Sequence, residues 1–151
     1  MYIDVIIQTD EYIPLKVIFS RPQEVVKYIS YSKDSTSYLE FAIGKFSKQI
    51  VRMLLLLSKE YSIVQDKLEL NDVYNDNFIF INENNISCLI FKTYIYSNGI
   101  KILLSDKECY KHIKTDKVYF GVSNTNELTD VCIYNLSDLE LYHIKKELEL
   151  Q

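Results

Sequence analysis

The chain has 151 residues, 48% hydrophobic and 25% charged, with a formal charge of −4 at pH 7. That length can bury a core without staples, and it predicts one domain over residues 1–151. The mild acidity argues against a nucleic-acid surface, where a basic stripe is expected, and is too small for a mimic of DNA phosphates.

In chain order, Tyr2–Gln8 and Ile13–Phe19 alternate apolar and polar residues around the link Thr9-Asp10-Glu11, which predicts an antiparallel hairpin. Ser20-Arg21-Pro22 is the signature of a helix start, so a short helix is expected there, with Val25, Val26 and Ile29 on its apolar side. The segment Ser37–Asp66 spaces Leu39, Ile43, Phe46, Ile50, Met53 and Leu57 by threes and fours. This is the period of an amphipathic helix, with Ser37 and Glu40 as its capping box, so one long central helix is expected. The Asx-rich stretch Leu70–Asn77 predicts a surface loop. Phe78–Ile81 should be a strand and Asn82–Asn85 a turn.

Ile86–Tyr96 is apolar on both faces, as in a covered central strand. Asn98-Gly99 after it is a type I′ hairpin signal, which would set Ile95 opposite Ile102 and Tyr94 opposite Leu103. Ser105–Lys117 reads as a charged connection. Val118–Val122 and Val131–Asn135 read as strands, and Ser137 with Glu140 opens a closing helix. The expected fold class is α+β, with an antiparallel sheet of about six to seven strands packed on the long helix, a short helix before it and a C-terminal helix.

Four groups of residues are candidates for chemistry. Asp66, Glu69, Asp72 and Asp76 are close in sequence but lack the spacing and glycine of a calcium loop. Cys109 and His112 sit three apart as a nucleophile and base could, with Asp106 and Asp116 as available third groups. Cys88, Cys109 and Cys132 form no CxxC pair, so neither a disulfide framework nor a zinc ribbon is expected, and a cytoplasmic location is. Gly44, Gly99 and Gly121 are too far apart for a phosphate-cradling loop. No cofactor and no metal site are therefore expected. Residues 1–10 carry no secretory pattern, and no run reaches the roughly 18–20 apolar residues of a membrane span.

On the expected helix, Lys45, Lys48, Arg52 and Lys59 would share the face opposite the core. Tyrosine is in surplus, with 13 residues, and Tyr94 and Tyr96 share a strand side; tyrosine suits interfaces because it buries area while keeping a polar tip. An AT-rich genome would also enrich tyrosine, isoleucine and lysine, and Ala42 is the only alanine.

The sequence points to a cytosolic module that occludes a protein partner, such as an immunity protein or a phage-encoded inhibitor of a bacterial defence system (an anti-CRISPR, for example), with Lys45, Lys48, Arg52, Lys59, Tyr94 and Tyr96 as binding residues. One alternative is nucleic-acid association through the basic helix face, continued by Lys111 and Lys114. Another is a small enzyme at Cys109 and His112 or at the acidic loop. The surplus apolar run Leu54–Leu57 would suit a homodimer.

Overall fold

The computed structural model describes residues 5–10, 13–19, 21–70, 72–76, 78, 84–115 and 117–151. The chain forms β1 (Val5–Asp10), β2 (Ile13–Phe19), β3 (Val26–Lys33), β4 (Ser37–Gly44), β5 (Ile50–Ser58), β6 (Tyr61–Ile63) and β7 (Val73–Asn75). It continues with β8 (Ile86–Ser87), β9 (Lys92–Ile95), β10 (Gly99–Leu103), β11 (Lys111–Thr115), β12 (Val118–Val122), β13 (Leu128–Tyr134) and the helix α1 (Asp138–Glu149). One sheet has six strands in the order β1-β2-β5-β4-β3-β8, and the other has seven in the order β6-β9-β10-β13-β12-β11-β7. Leu15, Val17, Leu39, Phe41 and Leu55 from the first sheet share one core with Ile95, Ile102, Phe120 and Val131 from the second. The fold is a two-sheet sandwich, with α1 adding Leu141, Ile144 and Leu148 to that core.

The long central helix does not exist, and the α+β expectation is wrong. Ser37–Asp66 is instead the β4–β5 hairpin followed by β6. Along β4 the core residues are Leu39, Phe41 and Ile43, a period of two, and β5 buries Met53 and Leu55. Register shifts between Tyr38/Leu39 and Ala42/Ile43 break the alternation, which makes a bulged strand pair imitate helical spacing. Phe46, placed on the core side of that helix, lies in the hairpin turn and is 84% exposed. Glu24 holds this turn: its carboxylate accepts from the Phe46 and Ser47 amides at 2.9 and 3.1 Å. The hydrogen bonds from Ser47 and Phe46 keep Glu24 below the usual carboxylate range.

The short helix is also replaced, because Val26–Lys33 is β3; Ser20, its proposed N-cap, lies outside the described residues. So do Ile79–Ile81 of the expected strand and part of the turn that follows. The hairpin Val5–Asp10/Ile13–Phe19 forms in the antiparallel sense expected, and Val118–Val122 is a strand as expected; the strand expected over Val131–Asn135 runs instead over Leu128–Tyr134, antiparallel to it. The closing helix begins at its capping box, with the Glu140 amide donating to Ser137 Oγ at 3.1 Å and the Ser137 amide to Glu140 Oε1 at 2.9 Å.

At Asn98-Gly99 the hairpin is real but its turn is not type I′. Ile95 faces Ile100 and Tyr94 faces Lys101, two residues short of the expected register. Neither turn residue has positive φ. Gly99 is needed for close approach instead: a Cβ there would run into the Ile133 carbonyl oxygen on the next strand. Gly99→Ala is expected to cost about 1–3 kcal/mol, the range for overpacking, as a lowered urea midpoint. An unchanged midpoint would mean that β10 and β13 are not this close.

Candidate functional site

Strand alternation gives the seven-stranded sheet one face toward the core and one away from it. Ile100, Ile102, Val131, Ile133, Val118 and Phe120 point inward. Their neighbours therefore point outward, and the pairings align them in two rows. One row runs His112, Gly121, Asp130, Leu103 and Lys92 across β11, β12, β13, β10 and β9. The other runs Lys114, Tyr119, Cys132, Lys101 and Tyr94 over the same strands.

Gly121 explains the first row. Its absent side chain leaves room for His112 and Asp130, two strands apart, to meet above it. His112 Nε2 lies 2.8 Å from Asp130 Oδ1, whereas a Cβ on Gly121 would sit 2.6 Å from the Asp130 carboxyl carbon. The pair is buried, with 7% of His112 and 1% of Asp130 exposed. Thr129 Oγ1 donates to Asp130 Oδ2 at 2.9 Å and Cys132 Sγ to Oδ1 at 3.2 Å, so the carboxylate's lone pairs are well used.

Burial pushes His112 down, but its hydrogen bonds to Asp130 and Cys109 and the Asp130 charge outweigh it and hold the imidazole up at about 9. Burial likewise raises Asp130, and the bonded, charged His112 with the Cys132 and Thr129 donors brings it below its ordinary value. Both directions describe an ionised pair at neutral pH.

Cys109 reaches this pair from the connection between β10 and β11. Its Sγ is 3.7 Å from both ring nitrogens of His112 and donates to the Lys111 carbonyl at 3.3 Å. A thiol, an imidazole and a carboxylate in that order are the members of a nucleophile–base–orienter relay. The sulfur is equidistant from the two nitrogens, however, and it also donates to a peptide oxygen. Cys109 also lines a cleft of about 550 Å³ with Asp72, Lys107, Glu108, Ser123 and Thr125. A larger cleft of about 620 Å³, walled by Tyr31, Phe78, Cys88, Leu104 and Leu128, shares Thr125 with it but is not lined by Cys109, His112 or Asp130.

The second row sets two lysine–tyrosine pairs on either side of Cys132, and Lys92 of the first row lies beside it. Lys92 Nζ lies 5.1 Å over the Tyr94 ring and Lys114 Nζ 5.7 Å over Tyr119, cation–π distances. Tyr119 meets Tyr134 edge to face at 4.9 Å. Cys132 is fully buried on this outer side, and burial pushes its thiol well above the ordinary value. Burial also raises Tyr134 to about 12, and raises Tyr96 despite the nearby Lys101 charge. Among the described residues Lys92, Lys101 and Lys114 form no ion pair.

Of the residues singled out in the sequence, Tyr94 belongs to this face, and Tyr96 lies just beyond β9, close enough to Lys101 and Tyr94 to feel both. The basic helix row is dispersed. Lys45 and Lys48 are in the β4–β5 turn, Arg52 is on the outer side of β5 over Tyr28, and Lys59 follows β5. At about 3.3 Å per residue, the two ends of β5 are roughly 25 Å apart, so these side chains form no single patch. Lys114 joins the tyrosine face, while Lys111 turns to the other side over Tyr74. Asp66, Glu69, Asp72 and Asp76 are not buried; the ligand cluster among the described residues is Cys109, His112 and Asp130.

The third group is Asp130, which sequence spacing does not reveal; Asp106 is exposed and Asp116 lies outside the described residues. The available signal was Gly121, a lone glycine inside a strand pattern, which marks a close approach. The three cysteines are free. No model of a known protein family matches the chain, and no curated protein matches its sequence.

Proposed function

We propose that the chain is a protein-binding module that occludes an acidic protein partner with the outer face of its seven-stranded sheet. An immunity protein or an inhibitor of a bacterial defence system is the form of occlusion its sequence suggests. The observation that carries the reading is the Tyr94, Tyr119, Tyr134, Lys92, Lys101 and Lys114 face. On these strands its acid is Asp130, which is buried and already paired with His112. Glu69, close enough to Tyr134 to act on its phenol, stands at the margin against three lysines, so the face is net positive in a chain of net charge −4, which favours an acidic surface opposite. Rigid tyrosines supply area at low entropic cost, as at interface hot spots.

Single-stranded nucleic acid would also use aromatic and basic groups, but it needs open ring faces for stacking. Here Lys92 and Lys114 cover Tyr94 and Tyr119, and Tyr134 abuts Tyr119 by its edge.

The double reversal Lys101→Glu with Lys114→Glu tests this. Both side chains are partly solvated, so stability should change by less than about 1 kcal/mol. Affinity for the purified partner should fall by at least about tenfold at low salt, mainly through slower association, and the deficit should shrink as salt rises. An unaltered affinity would remove this face from the interface. Salt-sensitive binding of a labelled single strand by the wild type would favour nucleic acid instead.

A further inference from the structure

We propose that Cys109, His112 and Asp130 form a binding site for one thiophilic divalent cation of the zinc class, with its remaining coordination position open toward the adjoining cleft. The inference is independent of the partner-binding face. A sulfur, a nitrogen and a carboxylate oxygen, brought from the β10–β11 connection, β11 and β13, all lie within 4.8 Å of one another. Around tetrahedral zinc, ligands at about 2.0–2.3 Å from the metal are roughly 3.3–3.6 Å apart. Cys109 Sγ to His112 Nε2 is already 3.7 Å. The His112–Asp130 contact of 2.8 Å need widen by only about half an ångström, a rotamer-scale adjustment, to admit an ion.

Charge and supporting contacts agree with this set. A thiolate and a carboxylate with a neutral imidazole cancel a doubly charged ion, so the loaded site is neutral in a buried place. Binding displaces the Cys109 thiol proton from the Lys111 carbonyl and the proton shared between His112 and Asp130; both leave to solvent, and no redox step is involved. Thr129 Oγ1 holds Asp130 Oδ2, and Cys132 Sγ donates to Oδ1 at 3.2 Å; together they fix the carboxylate with Oδ1 toward His112, the outer-shell support that metal carboxylates require. Gly121 keeps the space between His112 and Asp130 free of side chain. One sulfur, one nitrogen and one oxygen donor suit zinc better than magnesium or calcium, which take oxygen alone. With three protein ligands the fourth position remains for water or a ligand, and Cys109 lines the cleft of about 550 Å³ from which it would come.

The test titrates Co²⁺ into the reduced full-length chain and follows the thiolate-to-metal charge-transfer band, with Zn²⁺ as competitor. One equivalent should give the band together with the visible transitions of a tetrahedral ion, and Zn²⁺ should abolish both. Cys109→Ala should remove the band, and His112→Gln should weaken binding by at least about 100-fold. Cys88→Ala, at a buried thiol outside the cluster, should retain wild-type binding. Because His112→Gln disturbs a buried pair, the decisive variant is Cys109→Ala, at a partly exposed loop position, with folding checked by circular dichroism. No charge-transfer band in the wild type, or a band that survives in folded Cys109→Ala, would overturn the site.

Discussion

Asp130→Ala is expected to destabilise the metal-free protein by about 3–5 kcal/mol near neutral pH, the cost of leaving one member of a buried pair without its partner. The variant strands His112 in a place that is 7% exposed and removes the acceptor used by Thr129 and Cys132. The effect should also depend on pH with a definite sign. In the wild type His112 is held up at about 9, above its unfolded value near 6.5. Its stabilisation is therefore fully present below about pH 6.5 and lost as pH rises through about 9.

Asp130 is lowered, so its contribution is present above its unfolded value near 3.9 and lost as pH falls through its lower folded value. In the variant, burial, the largest influence on His112, lowers it and only the Cys109 contact is left to oppose that, so the imidazole opposes folding below about pH 6.5 and ceases to do so above it. The gap between wild type and variant should be widest between about pH 4 and 6.5 and should narrow toward pH 9. Urea unfolding at pH 6 and pH 9.5 measures it. A gap that grows with pH would mean that His112 and Asp130 do not form an ion pair.

Leu55→Ala should cost about 2–5 kcal/mol, while Leu57→Ala should cost less than half as much. Leu55 has no exposure and packs in the shared core, whereas Leu57 is only half-buried. A helix through Ser37–Asp66 predicts the opposite ranking, because it places Leu57 in its core stripe. Denaturant midpoints of the two variants decide between the strand and the helix. Equal costs, or a larger loss at Leu57, would contradict the β5 register.

The reason that stretch misleads is physical. Leu54, Leu55, Leu56 and Leu57 are consecutive, so β5 shows little alternation, and the bulges opposite Leu39 and Ile43 shift the inward residues off a period of two. Composition held a counter-signal: one alanine against abundant isoleucine and tyrosine is poor material for a long helix and good material for strands. What is readable is local. The capping box at Ser137 depends on residues three apart and forms as expected.

The site is mostly nonlocal. Cys109 and His112 are legible by spacing, but Asp130 is 18 residues from His112 and reaches it only because β12, with Gly121, lies between β11 and β13. The tyrosine–lysine face is likewise a product of strand order: Tyr94, Lys101, Tyr119 and Lys114 come from four strands whose neighbours the sequence does not specify. The dispersal of Lys45, Lys48, Arg52 and Lys59 follows from the same error in period, since a row on a helix becomes two turns and a sheet face once the segment is a hairpin.

Site-specific photo-crosslinking in cells of the source organism tests the binding face most directly. A photoreactive residue at position 94 lies on the outer side of the seven-stranded sheet. The same residue at position 28, which is 52% exposed, lies on the outer side of the other sheet and serves as the reference. Position 94 should yield one discrete adduct with an acidic protein, position 28 should not, and Lys101→Glu with Lys114→Glu should abolish the adduct at 94. A discrete adduct from position 28 with none from 94, or only nucleic acid or a second copy of the chain captured at 94, would contradict the account.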